Sequence, residues 1–368
     1  MRLAIFQRLD QEGGGSRASL LTTMGTLREL RPDWQLLLVT QNHGPLARMA
    51  EEMGVAVWQA KLPRYRKPME RLAFWLACRP LKDRIGRFKP DAVLSNEWVT
   101  SPHALQVARR LEVPSICYVR DFAAVARGGK YRLDRIDRLL CVCDSMRESL
   151  LAGGYDPNKV RTVYNPIVRP VAGLQDPAAR GQIAKAADTG RWLLYLGRIS
   201  RRKNQIDAVR TLQHLRDITG ERWGLLLAGD ADEAYAAELD RFVAAAGLEG
   251  RVLRLGMIRG PAWLFELADA TIMTSRREGL ARVLIESFLC AKPAFSFPLE
   301  GIEDVYGDKL GHYVPERPEP ELLAEKIVAG LADPEMSRQR TEELRLMLEA
   351  RHSPAGHVDA FENAIRRL

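Results

Sequence analysis

The chain reads as an α/β protein made of two doubly wound parallel sheets, and three observations predict this class. Short apolar runs of four to six residues, rich in branched side chains, recur along the sequence. They lack the alternation of half-exposed strands, so they suit strands buried on both faces. Amphipathic segments lie between most of them. The alternation then lapses at 166–191, "PIVRPVAGLQDPAARGQIAKAADTGR", with its three prolines and three glycines, and starts afresh.

Taken in order, "RLAIF" (2–6), "QLLLVT" (35–40), "VAVWQA" (55–60), "DAVLS" (91–95), "SICYV" (115–119), "RLLCVC" (138–143) and "VRTVY" (160–164) are expected strands. Segments 16–30 and 101–111 are among the helices between them. The second set is "WLLYLG" (192–197), "WGLLLAG" (223–229), "RVLRLG" (251–256), "ATIMTS" (270–275) and "PAFSF" (293–297). Residues 319–368 are helical in pattern. The expected division is a first domain over 1–167, a linker over 168–190 and a second domain over 191–353. At 368 residues the chain has the length for two domains. Open parallel sheets take ligands at the carboxyl ends of their strands. With two such domains the natural site is a cleft between them.

Composition narrows the function. The chain is 46% hydrophobic and 28% charged, which is globular. It has no run of 18 apolar residues to cross a membrane. "MRLAIFQRLDQEGG" has too few apolar residues for a signal peptide and reads as a first strand. The five cysteines are odd in number and scattered, which points to buried free thiols in a reducing, cytoplasmic setting. Net charge is +8, and segment 61–89 carries ten Lys/Arg against two acids, with Tyr65, Leu72, Phe74, Trp75 and Leu76 interleaved. That segment is either a solvated helical face or a surface for anionic lipid or an acidic acceptor. No nucleic-acid motif accompanies the charge, so nucleic acid is not an expected partner.

The loop "QEGGGSRAS" (11–19) follows the first strand, and Gly13, Gly15 and Ala18 fit G-x-G-x-x-A. Six residues separate strand from glycines, and "VTQN" ends the second strand with no acid for a ribose. Both features argue against a nicotinamide site. What remains is a set of glycines, with Arg17, that lets backbone amides approach an oxyanion at a helix N-terminus.

In the second half, "GRISRRKNQ" (197–205) leaves the first strand at Gly197 and places Arg198 and Lys203 about the start of a helix. Arg201 and Arg202 add charge. An arginine fork and a lysine point charge can converge on a diphosphate. Gly229 and Gly256 close two further strands and allow a flat group to approach backbone. "SRREGLARVLIESFLCAKP" (275–293) is a strand end, a turn and a helix, with glutamates at 278 and 286. Glu278 falls at the carboxyl edge of the sheet beside Gly279, Leu280 and Ala281, whose amides could grip sugar hydroxyls with it. Glu286 sits in an apolar run. An unpaired charge there is costly, so it faces water or something binds it, and ribose hydroxyls are one candidate.

Taken together, "GRISRRKN", the E-x7-E of "REGLARVLIE", "AKPAFSFPLEGIEDV" and "VYNPI" resemble glycosyltransferase family 4, the retaining glycosyltransferases of the GT-B fold. The likeness runs over nearly the whole chain. It implies two Rossmann-like domains facing a cleft and a final helix, 354–368, packed back on the first. It implies transfer of a sugar from a nucleotide-diphosphate donor to an acceptor hydroxyl, with no metal and no further cofactor. Arg198 and Lys203 would bind the diphosphate. Glu278 would meet the donor sugar, helped by amides over Leu280, Ala281, Arg282 and Val283, and Glu286 the ribose. Gly14 and Gly15 would approach phosphates or acceptor. Where the family commonly has His-Asp, this chain has Arg120-Asp121, and Arg120 is expected to bind a phosphate or an acidic acceptor. Pro166 and Ala281 also depart from the pattern. Segment 61–89 lies in the first domain, where the resemblance implies that acceptors bind, so an anionic or membrane-borne acceptor such as a lipid-linked or cell-surface glycan of a bacterium is expected, with the protein cytoplasmic or peripheral at the inner face of the membrane. A non-catalytic glycan or lipid binder and a sugar-nucleotide epimerase share the fold and stay open.

Overall fold

The computed structural model describes residues 1–8, 15–65, 68–170, 176–186 and 190–366. Gly13 and Gly14 lie outside them. The first seven strands are β1 (Arg2–Phe6), β2 (Gln35–Thr40), β3 (Ala56–Gln59), β4 (Ala92–Ser95), β5 (Ser115–Val119), β6 (Arg138–Cys141) and β7 (Val160–Thr162). They form one parallel sheet in the order β3-β2-β1-β4-β5-β6-β7. The next five are β8 (Arg191–Leu196), β9 (Trp223–Ala228), β10 (Val252–Gly256), β11 (Ala270–Met273) and β12 (Ala294–Ser296). They form a second parallel sheet in the order β10-β9-β8-β11-β12. Each order reverses beside its first strand, β1 or β8, and such a reversal opens a crevice at the carboxyl edge.

The burial pattern explains the sequence pattern. β5, β6 and β9 are buried at every position, as strands with helices on both faces must be. The expected helices 16–30 and 101–111 are observed as Gly15–Leu30 and Ser101–Leu111. All five cysteines are free, four of them buried.

The chain forms two compact units, residues 1–166 with 352–368, and residues 167–351. The stretch expected as linker holds a helix, Pro177–Lys185, capped by Asp176, which accepts from the amides of Ala178 and Ala179. Ala179 and Ala186 are buried in a core with Trp192, Leu194, Trp263 and Phe265. Small alanines seat this helix on the second sheet, so 176–186 is part of that unit. A strand-seeking reading passes over it because its pattern is weak.

The last helix, Pro354–Ile365, returns to the first unit. Phe361 is fully buried and stacks on Tyr118 of β5 at 6.1 Å. Arg31 pairs with Glu362. His352 Nδ1 lies 2.9 Å from the Asn165 carbonyl, and His357 Nδ1 lies 2.7 Å from that of Tyr164. Two imidazoles thereby fasten the segment after β7.

Candidate functional site

The carboxyl edge of the second sheet gathers most of the sequence-predicted residues. β8 ends at Leu196, and Gly197 turns the chain with a φ of 150°. Gly229, after β9, has a φ of 151°, and a Cβ there would stand 2.3 Å from the Gly197 carbonyl oxygen. The two strand exits touch backbone to backbone, so only glycine fits at 229.

The loop 198–204 is held from inside. Buried Gln205 donates to the Arg198 carbonyl at 3.0 Å, and the Ser200 amide donates to Gln205 Oε1 at 3.2 Å. Tyr195 of β8 donates from its hydroxyl to the Lys203 carbonyl at 2.5 Å. Burial pushes that phenol's pKa up. Asn204 adopts a left-handed conformation, φ 58°, before the helix Gln205–Thr219. Asparagine tolerates it better than most residues. Thr274 Oγ1, past β11, donates to the Asn204 carbonyl at 2.7 Å. β8 and β11 are neighbours, so their exit loops are stitched together.

Lys203 and Glu278 meet across this seam. Nζ lies 2.7 Å from Oε1, and the side chains are 14% and 12% exposed. Burial pushes the Glu278 carboxyl up, but Lys203, then Arg202, and hydrogen bonds from Lys203 and Ser275 outweigh it, and its pKa lies below the ordinary value. It stays a carboxylate at neutral pH. Arg202 Nη1 lies 3.1 Å from the other oxygen, Oε2. Arg198 stands on the same loop, 56% exposed, with Nε 3.6 Å from Asp230 Oδ2 beyond β9.

The turn 278–281 leads into the helix Arg282–Leu289. Ala281 has φ −75° and ψ 64°, and the Arg282 amide donates to the Leu280 carbonyl at 2.8 Å. This is an inverse γ-turn, which alanine adopts without strain. It explains why no glycine is needed at 281. It also engages one of the amides expected to face a ligand. Val283 is half-buried against the core. Glu286 is met by Arg282 one helical turn earlier, Nε to Oε1 at 2.6 Å, each side chain 19% exposed. The charge in the apolar run therefore has an internal partner.

In the first unit, Gly15 opens its helix with free space where a Cβ would stand. Ser16 Oγ donates to Glu97 Oε1 at 2.5 Å, and Arg17 is half-buried on the same turn. Arg120, expected to meet a phosphate or an acidic acceptor, is engaged by its own scaffold. Its Nε donates to the Asn96 carbonyl and Oδ1, both at 3.1 Å, its Nη1 donates to Asn165 Oδ1, and it lies 4.3 Å from the Tyr118 ring centre. Asn96 in turn donates to Gln7 Oε1 at 2.7 Å. The guanidinium ties together the exits of β1, β4, β5 and β7. Asp121 Oδ1 accepts from the Ala123 amide at 2.8 Å.

Sequence reasoning missed Asp230, Gln205, Tyr195 and the role of Arg202. Only Arg202 carried a signal, its charge beside Lys203. Gln205 and Tyr195 hold the loop that follows β8, and Asp230 meets Arg198 from beyond β9, contacts that no spacing reveals. Among the described residues no three His, Cys, Asp or Glu side chains cluster as metal ligands.

Known proteins give the family to which the chain belongs. Residues 14–168 match the family described as Glycosyltransferase Family 4, and residues 180–347 match the one described as Glycosyl transferases group 1. N-acetyl-alpha-D-glucosaminyl L-malate synthase of Bacillus anthracis is 26% identical over 190 residues, 51% of this chain and 49% of that protein. That alignment therefore spans about half the length of the relative. Anabaena Alr3699/HepE, solved with UDP-glucose, has a TM-score of 0.81 at 16% identity and covers 100% of both chains. Sucrose-phosphate synthase of Thermosynechococcus elongatus has a TM-score of 0.79 at 17% identity over 100% of this chain and 98% of that one. The matches to both halves, with the two parallel sheets, place the chain in the family 4, group 1 glycosyltransferases of the GT-B fold.

Proposed function

We propose that the protein is a retaining hexosyltransferase that moves a sugar from a nucleotide-diphosphate donor to a hydroxyl of a glycan or lipid-linked acceptor in bacterial cell-surface synthesis. The observation that carries this reading is the meeting of Lys203 and Glu278 at the carboxyl edge of the second sheet, with Arg198 on the same loop. Cleaving the bond between sugar and phosphate builds positive charge on the sugar and negative charge on the departing diphosphate. Arg198 and Lys203 stabilise the latter, each well-placed donor being worth roughly 3–4 kcal/mol. Glu278, kept ionised, accepts from sugar hydroxyls beside the turn amides. Glu286 is placed for ribose, in exchange with Arg282. Gly229 lets the nucleotide lie against backbone. No side chain is assigned as a nucleophile. The acceptor hydroxyl attacks the face that the diphosphate leaves, its proton passes to the departing phosphate, and the anomeric configuration is kept. The crystallisation of HepE with UDP and UDP-glucose supports a donor of this class. The reaction is proposed to need no resident metal.

The acceptor side is assigned to the first unit, with Gly15 and Arg17 in the first turn of its helix. We place the protein in the cytoplasm at the inner face of the membrane, with 61–89 on anionic lipid. Among the described residues no helix is long and apolar enough to cross a membrane.

A thermal-shift screen against uridine, guanosine and adenosine diphosphate sugars tests the donor, since binding to the native state raises the melting point. One nucleotide series should raise it and the others not. Proton NMR of the product should then show the donor's anomeric configuration, in the presence of a chelator. Inversion would overturn the same-face mechanism, and no shift with any series would overturn the donor site.

A further inference from the structure

Glu278 is held by two cations, and the proposed donor site makes use of only one. Lys203 Nζ sits on Oε1 at 2.7 Å. Arg202 Nη1 sits 3.1 Å from Oε2 and also donates to the Arg277 carbonyl at 2.8 Å. The Arg276 amide donates back to the Arg202 carbonyl at 2.9 Å. Arg202 thus grips both the carboxylate and the peptide that precedes it.

The loop does not need this grip to keep its shape. Gln205, Tyr195 and Thr274 already fix the seam from its buried side, whereas the Arg202 side chain is 49% exposed. What the guanidinium adds is charge on a carboxylate that is 12% exposed. A diphosphate that takes up Lys203 draws away the ammonium nearest to Glu278. A buried carboxylate that loses its counter-ion tends to take up a proton, and it then no longer accepts two hydrogen bonds from sugar hydroxyls.

We propose that Arg202 is a positioning residue of the donor site, which keeps Glu278 ionised and oriented while Lys203 turns to the diphosphate. The inference rests on the donor-site reading above. The other polar and charged groups about Glu278 are Tyr195 on β8, Ser275, and Arg276 and Arg277 on its own turn. Arg198 is engaged with Asp230 on the same edge. Lys203 and Arg202 each place a cation on one oxygen of the carboxylate.

The test compares full-length wild type, Arg202→Met and Arg202→Lys. Calorimetry with UDP, GDP and ADP comes first. Wild type that binds none of the three overturns the donor-site reading, and the inference with it. With the diphosphate that binds, release of that nucleotide from its glucose conjugate is followed from pH 4.5 to 8.5. Arg202→Met should lose about tenfold in kcat at neutral pH with donor KM changed less than about threefold, since the interaction supports the reacting state. The acid limb of its kcat profile should move up by about one pH unit, because a carboxylate short of one cation titrates higher. Arg202→Lys should restore the limb. If kcat falls equally at all pH, or the limb stays in place, Arg202 has only a structural role and the inference is overturned while the donor site stands. If donor KM rises more than about tenfold at constant kcat, Arg202 binds the diphosphate itself and the inference is likewise overturned.

Discussion

Glu286 posed a choice between water and a ligand, and Arg282 adds a third partner, on its own helix. The arginine was in plain view four residues earlier. Its meaning depended on a helix phase that puts i and i+4 on one face. Lys203 and Glu278 are 75 positions apart, and their contact follows only from β8 lying beside β11. Sequence could name both because each follows a strand. It could not show that they touch. Arg120 marks the opposite case: a cation at a strand exit that faces its own scaffold, Asn96 and Asn165. Lys203→Ala should lower kcat/KM by about tenfold or more, as loss of a donor to developing charge does. Glu278 keeps Arg202, so far-UV circular dichroism should be unchanged. Near-normal turnover would remove Lys203 from the diphosphate site.

At the level of elements, the twelve strands of the described residues were legible as short apolar runs, most cleanly where both faces are covered, as in β5, β6 and β9. The helix Pro177–Lys185 was not legible, since it docks through small alanines. Gly229 was noted as a strand end, but the Gly197 backbone beside it is a tertiary fact. Gly229→Ala should destabilise the second unit by about 2–4 kcal/mol, from a strained φ and a backbone clash, read as a lower urea midpoint. In helix Pro68–Phe88, the residues Phe74, Cys78, Leu81 and Ile85 form the buried stripe. Trp75 and Leu76 face outward, 51% and 58% exposed, with Arg110 5.3 Å from the Trp75 ring. An exposed aromatic and leucine among cations suit the interface of an anionic bilayer. Replacing both by alanine should weaken sedimentation with phosphatidylglycerol vesicles by about tenfold while leaving nucleotide binding unchanged. Equal binding to neutral vesicles by wild type would argue against the lipid reading.

At the level of the molecule, each unit carries its own core, and the first also carries three buried histidines, His103, His352 and His357. His103 lies between Phe6 and Phe74, and His357 in the returning helix. Burial lowers both pKa values to about 4. Unfolded chain takes a proton at each near pH 6.5, and the native chain only near pH 4. Stability is therefore whole above pH 6.5 and declines as pH falls towards 4, by about 1.4 kcal/mol per pH unit for each group. Urea melts of the first unit at pH 7.5 and 5 should show this fall. His357→Asn, whose amide can reach the Tyr164 carbonyl as Nδ1 does, should lessen it. The same helix sets an order of assembly. Residues 167–351 are contiguous, whereas the sheet of residues 1–166 awaits a piece made after them. On the ribosome, where chains emerge amino end first, Tyr118 has no Phe361 to cover it until residues 167–351 have been made. Residues 1–166, though made before 167–351, thus mature after them, and a chaperone holding the nascent protein would find exposed apolar surface on the earlier-made sheet.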